Sequence, residues 1–119
     1  MIESIFNLSD SIRYVAVYKN GQLESKSKSN TVGASSSESD RYEELLVNPS
    51  LIKLTSQRGN IDCGGLDYIL VRYGNFFQFV LPVIWGHVSV CIEANADPIL
   101  IGTQVRSLIR DKLSDHFTS

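Results

Sequence analysis

Cysteine, histidine, proline, methionine and tryptophan are all scarce in this 119-residue sequence, with two, two, three, one and one copies. Two cysteines, Cys63 and Cys91, are too few for a disulfide scaffold or a structural zinc site. With His87 and His116 they are the only soft metal ligands, and no Cys-x-x-Cys or His-x-x-x-His spacing joins them. No metal and no cofactor is therefore expected. A basic surplus is also missing: eleven Lys and Arg stand against thirteen Asp and Glu, a net charge of −2. Nothing is left over to neutralise a run of phosphates, which argues against a nucleic-acid partner. The longest apolar stretch, residues 76–85, is interrupted by Gln78 and Pro82 and is too short to span a bilayer, so no membrane role is expected. The opening MIESIFNLSD has neither the positive flank nor the apolar run of a signal peptide, and the expectation is a cytoplasmic protein.

What remains is the composition of an ordinary folded domain, 43% hydrophobic and 20% charged, expected to form one unit over residues 1–119. One segment departs from it. Residues 24–40, ESKSKSNTVGASSSESD, hold seven serines in seventeen positions and read as a solvated connecting loop, with a lid or a phosphorylatable segment as the sharper alternative.

The punctuation elsewhere predicts the elements. Residues 1–8 place Ile2, Ile5 and Phe6 on one side of a short helix. IRYVAVYK at 12–19 reads as a buried strand, Asn20-Gly21 as a hairpin turn, and 22–29 as the returning strand, its edge guarded by Lys26 and Lys28. A helix is expected from Ser39 or Asp40, with Glu43 and Glu44 at the positive end of its dipole and Tyr42, Leu45 and Leu46 as its apolar stripe. Pro49 is expected to break it. Ser50 would cap a second piece carrying Leu51, Ile52 and Leu54, and Gly59 would end that piece in a left-handed conformation. Strands follow at 66–73, 76–83 and 87–94; in the last, Val88, Val90 and Ile92 point opposite to His87, Ser89, Cys91 and Glu93. Asp97-Pro98 starts a final helix in which Ile101, Val105, Leu108, Ile109 and Leu113 recur at helical spacing. The order α-β-β-α-β-β-β-α predicts an α+β fold: a five-stranded, mainly antiparallel sheet with helices packed on it.

A hairpin, a central helix and a three-strand meander in that order resemble the roadblock family of dynein light chains and their prokaryotic relatives, of roadblock/longin/profilin-like fold. The resemblance covers nearly the whole chain and rests on element order and spacing, since the family has no short catalytic motif. It implies the sheet order 2-1-5-4-3 and a homodimer built by pairing third strands and packing central helices. It also implies a non-enzymatic regulatory or scaffold role toward another cytoplasmic protein, such as a small GTPase. On this sequence the third strand is Tyr68, Ile69, Leu70, Val71, Arg72 and Tyr73. The central helix is residues 40–54, with Tyr42, Leu45, Leu46 and Ile52 in the dimer interface. Pro49 departs from the family, whose central helix is usually continuous. PAS-like sensor domains share the sheet order, and under that alternative a small ligand lies between sheet and helices.

Given that order, the two free edges are 22–29 and 68–73. The second has no lysine, no proline and one charge, Arg72, so it needs cover or a twin. Other candidates each have a bland counterpart. Asp62-Cys63-Gly64-Gly65 reads either as a thiol site with Cys63 activated by His87 or as a simple reversal from helix to strand. Cys91 reads as a small buried hydrophobe and His116 as part of a fraying tail. Arg58 and Arg72 would receive an anion or acidic partner, or merely face solvent. Trp85, in a turn beside Gly86, would be an exposed partner-binding anchor. The aromatics of the fourth strand and its neighbours would fill the core or line a small-molecule pocket. Asp62, Asp67 and Glu93 offer no visible acid/base pair.

Overall fold

The computed structural model describes residues 1–28 and 37–118, with side chains described to residue 112 in the last helix. Residues 29–36 of the Ser-rich segment, and the side chains of Leu113 and His116, lie outside the described residues. The elements are α1 (Ile2–Phe6), β1 (Ile12–Lys19), β2 (Gln22–Ser27), α2 (Ser37–Tyr42), a π-helical turn (Glu43–Val47), α3 (Asn48–Asp62), β3 (Ile69–Arg72), β4 (Phe76–Val83), β5 (Gly86–Glu93) and α4 (Pro98–Thr118). The segment read as a loop over 24–40 is thus strand at one end and helix at the other.

All four strand pairings are antiparallel and the order is β2-β1-β5-β4-β3, the expected α+β sheet. Asn20 and Gly21 have φ of 52° and 84°, the left-handed pair that a two-residue hairpin matching the strand twist requires. Alternation then sorts the side chains. Val15, Val17, Phe79, Leu81, Val88, Val90 and Ile92 form a fully apolar layer with Ile5 of α1 and Ile101, Val105 and Ile109 of α4. The opposite face carries Tyr14, Ala16 and Cys91 with Leu23 and Phe76, and beside them the buried polar residues Gln78, His87 and Ser89. One face is dry, the other mixed.

The last helix begins as expected. Asp97 Oδ1 accepts the N–H groups of Ile99 and Leu100, both at 3.1 Å, with Pro98 opening the helix. Its approach to the sheet depends on Gly102, where a Cβ would stand 2.6 Å from two ring carbons of the fully buried Phe79. Alanine there gains about 1 kcal/mol of helix propensity but overpacks a core ring that cannot swing away, at about 1–3 kcal/mol. Gly102→Ala should therefore lower the urea midpoint with an unchanged slope; a midpoint equal to or above that of the unaltered chain would contradict this packing.

Candidate functional site

The central helical segment is where the structure departs most from expectation. Pro49 does not break it: the chain stays helical from Ser37 to Asp62, and the disturbance is absorbed one turn earlier. Proline has no N–H and its ring crowds the carbonyl four residues back, here that of Leu45. The local solution is a π turn, in which the Asn48 N–H donates to the Glu43 carbonyl five residues back. Ser50 lies inside α3 rather than capping it, since the helix starts at Asn48 with Pro49 in its first turn. Gly59 is likewise not the stop. It is a buried helical residue whose missing Cβ admits the backbone of Gly65 and Leu66, at 3.1 and 3.3 Å. The reversal is made by Gly64 and Gly65, with φ of 80° and 88°.

The π turn decides which side chains meet the sheet. Glu44 and Asn48 are completely buried, while Tyr42, Leu45, Leu46, Leu54 and Ile61 are exposed, Tyr42, Leu54 and Ile61 by 61%, 65% and 75%. The segment is inside-out, polar toward its own sheet and apolar toward solvent. Leu54 and Ile61, absent from the expected interface, extend the apolar stripe of Tyr42, Leu45 and Leu46 along α3. Ile52 is half-buried. β3 is last in the sheet order and unpaired on its outer side among the described residues, and Tyr73 just after it bonds Glu43 of the π turn. Tyr68, Ile69, Leu70 and Val71 are half-buried, with Tyr68 5.0 Å from the Phe79 ring, while Arg72 and Tyr73 are exposed.

Under the π turn lies a buried polar layer. Glu44 Oε1 is 2.8 Å from His87 Nε2 and accepts the Asn48 Nδ2–H at 2.8 Å. Gln78 Nε2 donates to Ser89 Oγ, and the Cys91 thiol donates to Gln78 Oε1 at 3.0 Å. Glu44 Oε2 and Asn48 Oδ1 are buried without a hydrogen-bond partner, and the buried Tyr14 hydroxyl has the Ser25 side chain as its neighbour. Burial is also the main reason that the Tyr14 and Cys91 side chains resist ionisation, with Glu44 reinforcing it in both. Cys91 is accordingly an inert buried thiol. Toward the β3–β4 turn this layer opens into a cleft of about 470 Å3 whose walls include Tyr14, Tyr42, Glu43, Glu44, Tyr73 and Phe76. The Tyr73 hydroxyl, its pKa pushed up to about 12 by burial and then by its bond to Glu43, donates to Glu43 Oε1 at 3.0 Å.

The remaining sequence candidates are not brought together. Cys63 is exposed, between Arg58 Nη1 and Asp62 Oδ1 at 3.3 Å each, whereas His87 is buried on Glu44; the thiol–histidine pair does not form. Arg58 forms an exposed ion pair with Asp62 at 2.6 Å, which holds the Asp62 carboxyl below its ordinary range. Asp67 meets Arg106 at 2.7 Å and Glu93 meets Arg13 at 3.7 Å, so all three carboxylates have arginine partners. Trp85 is half-buried against the apolar layer, with the Lys19 ammonium 5.5 Å from its ring centroid; the exposed residue of that turn is Ile84. Among the described residues no group of side chains is arranged to hold a metal, and no helix is long and apolar enough to cross a membrane.

Glu43 makes the charge of the cleft measurable. Desolvation raises its pKa from the ordinary 4.5, the Tyr73 bond pulls it back, and Glu44 and Asp40 raise it further. A carboxyl with a raised folded pKa binds more protons in the native than in the unfolded state, so its contribution to stability falls as pH rises from 4.5 through the raised value. Glu43→Gln, which keeps an acceptor for Tyr73, should raise the melting temperature at pH 7 and leave it unchanged near pH 3.5. A loss of stability at pH 7 would show that the carboxylate is favourably held.

No family model matches the chain, and no curated protein matches it. Among solved structures it is similar to the crystal structure of MglC from Myxococcus xanthus, at 9% identity and a TM-score of 0.48, over 89% of this chain and 93% of that one.

Proposed function

We propose that this chain is a non-enzymatic homodimeric module that presents a binding surface to another protein, in a regulatory or scaffold role. The observation that carries it is the inside-out helical segment beside a free strand edge. Tyr42, Leu45, Leu46, Leu54 and Ile61 are large apolar side chains left in water, and exposed apolar side chains gathered on one segment mark an interaction surface. The outer edge of β3, from Ile69 to Arg72, is free among the described residues and has no lysine or proline to discourage pairing. Antiparallel pairing of β3 with its copy satisfies the edge groups, and the same twofold axis brings the two helical stripes together. Tyr68, Ile69, Leu70, Val71, Arg72 and Tyr73 supply the strand contact; Tyr42, Leu45, Leu46 and Ile52 begin the helical one.

Arg58 and Trp85 remain as partner-facing candidates outside that contact, and the roadblock resemblance names a small GTPase as the kind of protein partner to try. A cytoplasmic setting suits such a module. The Cys63–His87 site that would have made it an enzyme is not assembled.

Light scattering on the purified full chain should give twice the monomer mass at micromolar concentration. Leu46→Glu combined with Leu54→Glu should give monomers, while changing stability by no more than about 0.5 kcal/mol, since both side chains are exposed in the single subunit. A monomeric unaltered chain, or a dimer indifferent to both changes, would sink the proposal.

A further inference from the structure

The structure assigns a second property to the cleft beneath the π turn: we propose that it binds a primary ammonium group carried on an apolar or aromatic stem. The volume, about 470 Å3, suits a small ligand. Its walls combine the rings of Tyr14, Tyr42, Tyr73 and Phe76 with the carboxyl groups of Glu43 and Glu44, and Asp40 lies on the same wall. Aromatic faces and carboxylates around one space are the surroundings in which an organic cation is stabilised. No lysine or arginine is among the described residues that line it. Arg13 is close to one wall, 5.2 Å from the Phe76 centroid, and donates to the Asn75 carbonyl at 2.9 Å.

An independent observation points the same way. Glu44 is a fully buried residue of the cleft wall; its Oε1 accepts from Asn48 and lies 2.8 Å from His87 Nε2, and its Oε2 has no hydrogen-bond partner among the described residues. A buried acceptor left empty is costly, and the residue that carries this one belongs to the wall of a space large enough for a guest. What it calls for is a donor. A primary ammonium brings three N–H donors and a charge, and the rings accept the stem. A guest bearing a carboxylate would meet the charge of Glu43 and Glu44 and be refused.

The ammonium can come from a small amine or from a lysine side chain of a peptide, so both are tested on the unaltered full chain by calorimetric titration. The probes are 2-phenylethylamine, Nα-acetyl-lysine methylamide, 2-phenylethanol as the neutral isostere, and 3-phenylpropanoate. At least one of the two amines should bind about tenfold or more tightly than the alcohol, as expected for charge-assisted hydrogen bonds, and the carboxylate should not bind. The tighter of the two amines identifies the source. Glu44→Gln should remove the preference for amine over alcohol. Glu43→Gln, altered at a half-buried position, should narrow it even if Glu44→Gln does not fold. Equal affinity for the better amine and the alcohol, or no heat from either amine at concentrations on the order of 10 mM, would overturn the assignment. The comparison of probes is made on one protein sample, and repeating it on the Leu46→Glu, Leu54→Glu chain separates binding from the proposed dimer contact, which shares Tyr42 and Tyr73 with the cleft.

Discussion

The peptide nitrogen of Pro49 has no hydrogen to give to the turn before it, and the central segment is shaped around that fact. A helix met by an interior proline can stop, kink or widen. Here it widens: the Asn48 N–H reaches back to Glu43 and the segment passes through one π turn without ending. A widened turn carries an extra residue, and an extra residue rotates everything that follows about the helix axis. Glu44 and Asn48 arrive over His87, and the leucines beside them arrive in solvent.

That rotation separates the two faces of the sheet by chemistry. The α1 and α4 side holds only apolar side chains, cut to fit at Gly102. The other side holds a carboxylate, an imidazole, two amides, a hydroxyl and a thiol, and one oxygen each of Glu44 and Asn48 lacks a partner. Burying such groups adds little to stability and costs much when a partner is missing. The fold is held chiefly by the dry side, which leaves the polar side free to specialise. The cleft, the raised pKa values of Glu43 and Tyr73, and the outward leucines all belong to that side.

Much of this architecture was legible in the sequence, because its signals are local. Asn20-Gly21 can make one kind of turn well, Asp97-Pro98 opens a helix by side-chain geometry, and the alternation from His87 to Glu93 places each residue on a face without reference to anything distant. The helix from Ser37 to Asp62 was misread because its logic is not local. Leu45 and Leu46 belong to the expected dimer contact and are exposed in the subunit, but an apolar stripe alone does not say which residues lie beneath it. Glu44 was read as serving the helix dipole when it serves His87. The available signal was the spacing of Glu44, Asn48, Ile52 and Gly59, which shares one helical face and carries no leucine; weighed against the leucines opposite, it would have suggested that the apolar side looks elsewhere. Gly59 was read as conformational when its role is steric, and only the position of Gly65 and Leu66 reveals that.

The first hairpin closes the opposite margin of the sheet. On β2, Lys26 is tied to Glu3 of α1, and just beyond it the Lys28 N–H returns to the Arg13 carbonyl. Its remaining polar groups therefore sit behind cations that repel their own kind. Under the proposed dimer, two copies joined at β3 would present lysine-bearing margins at both outer ends. Under the proposed pairing the joined sheet would stop at ten strands.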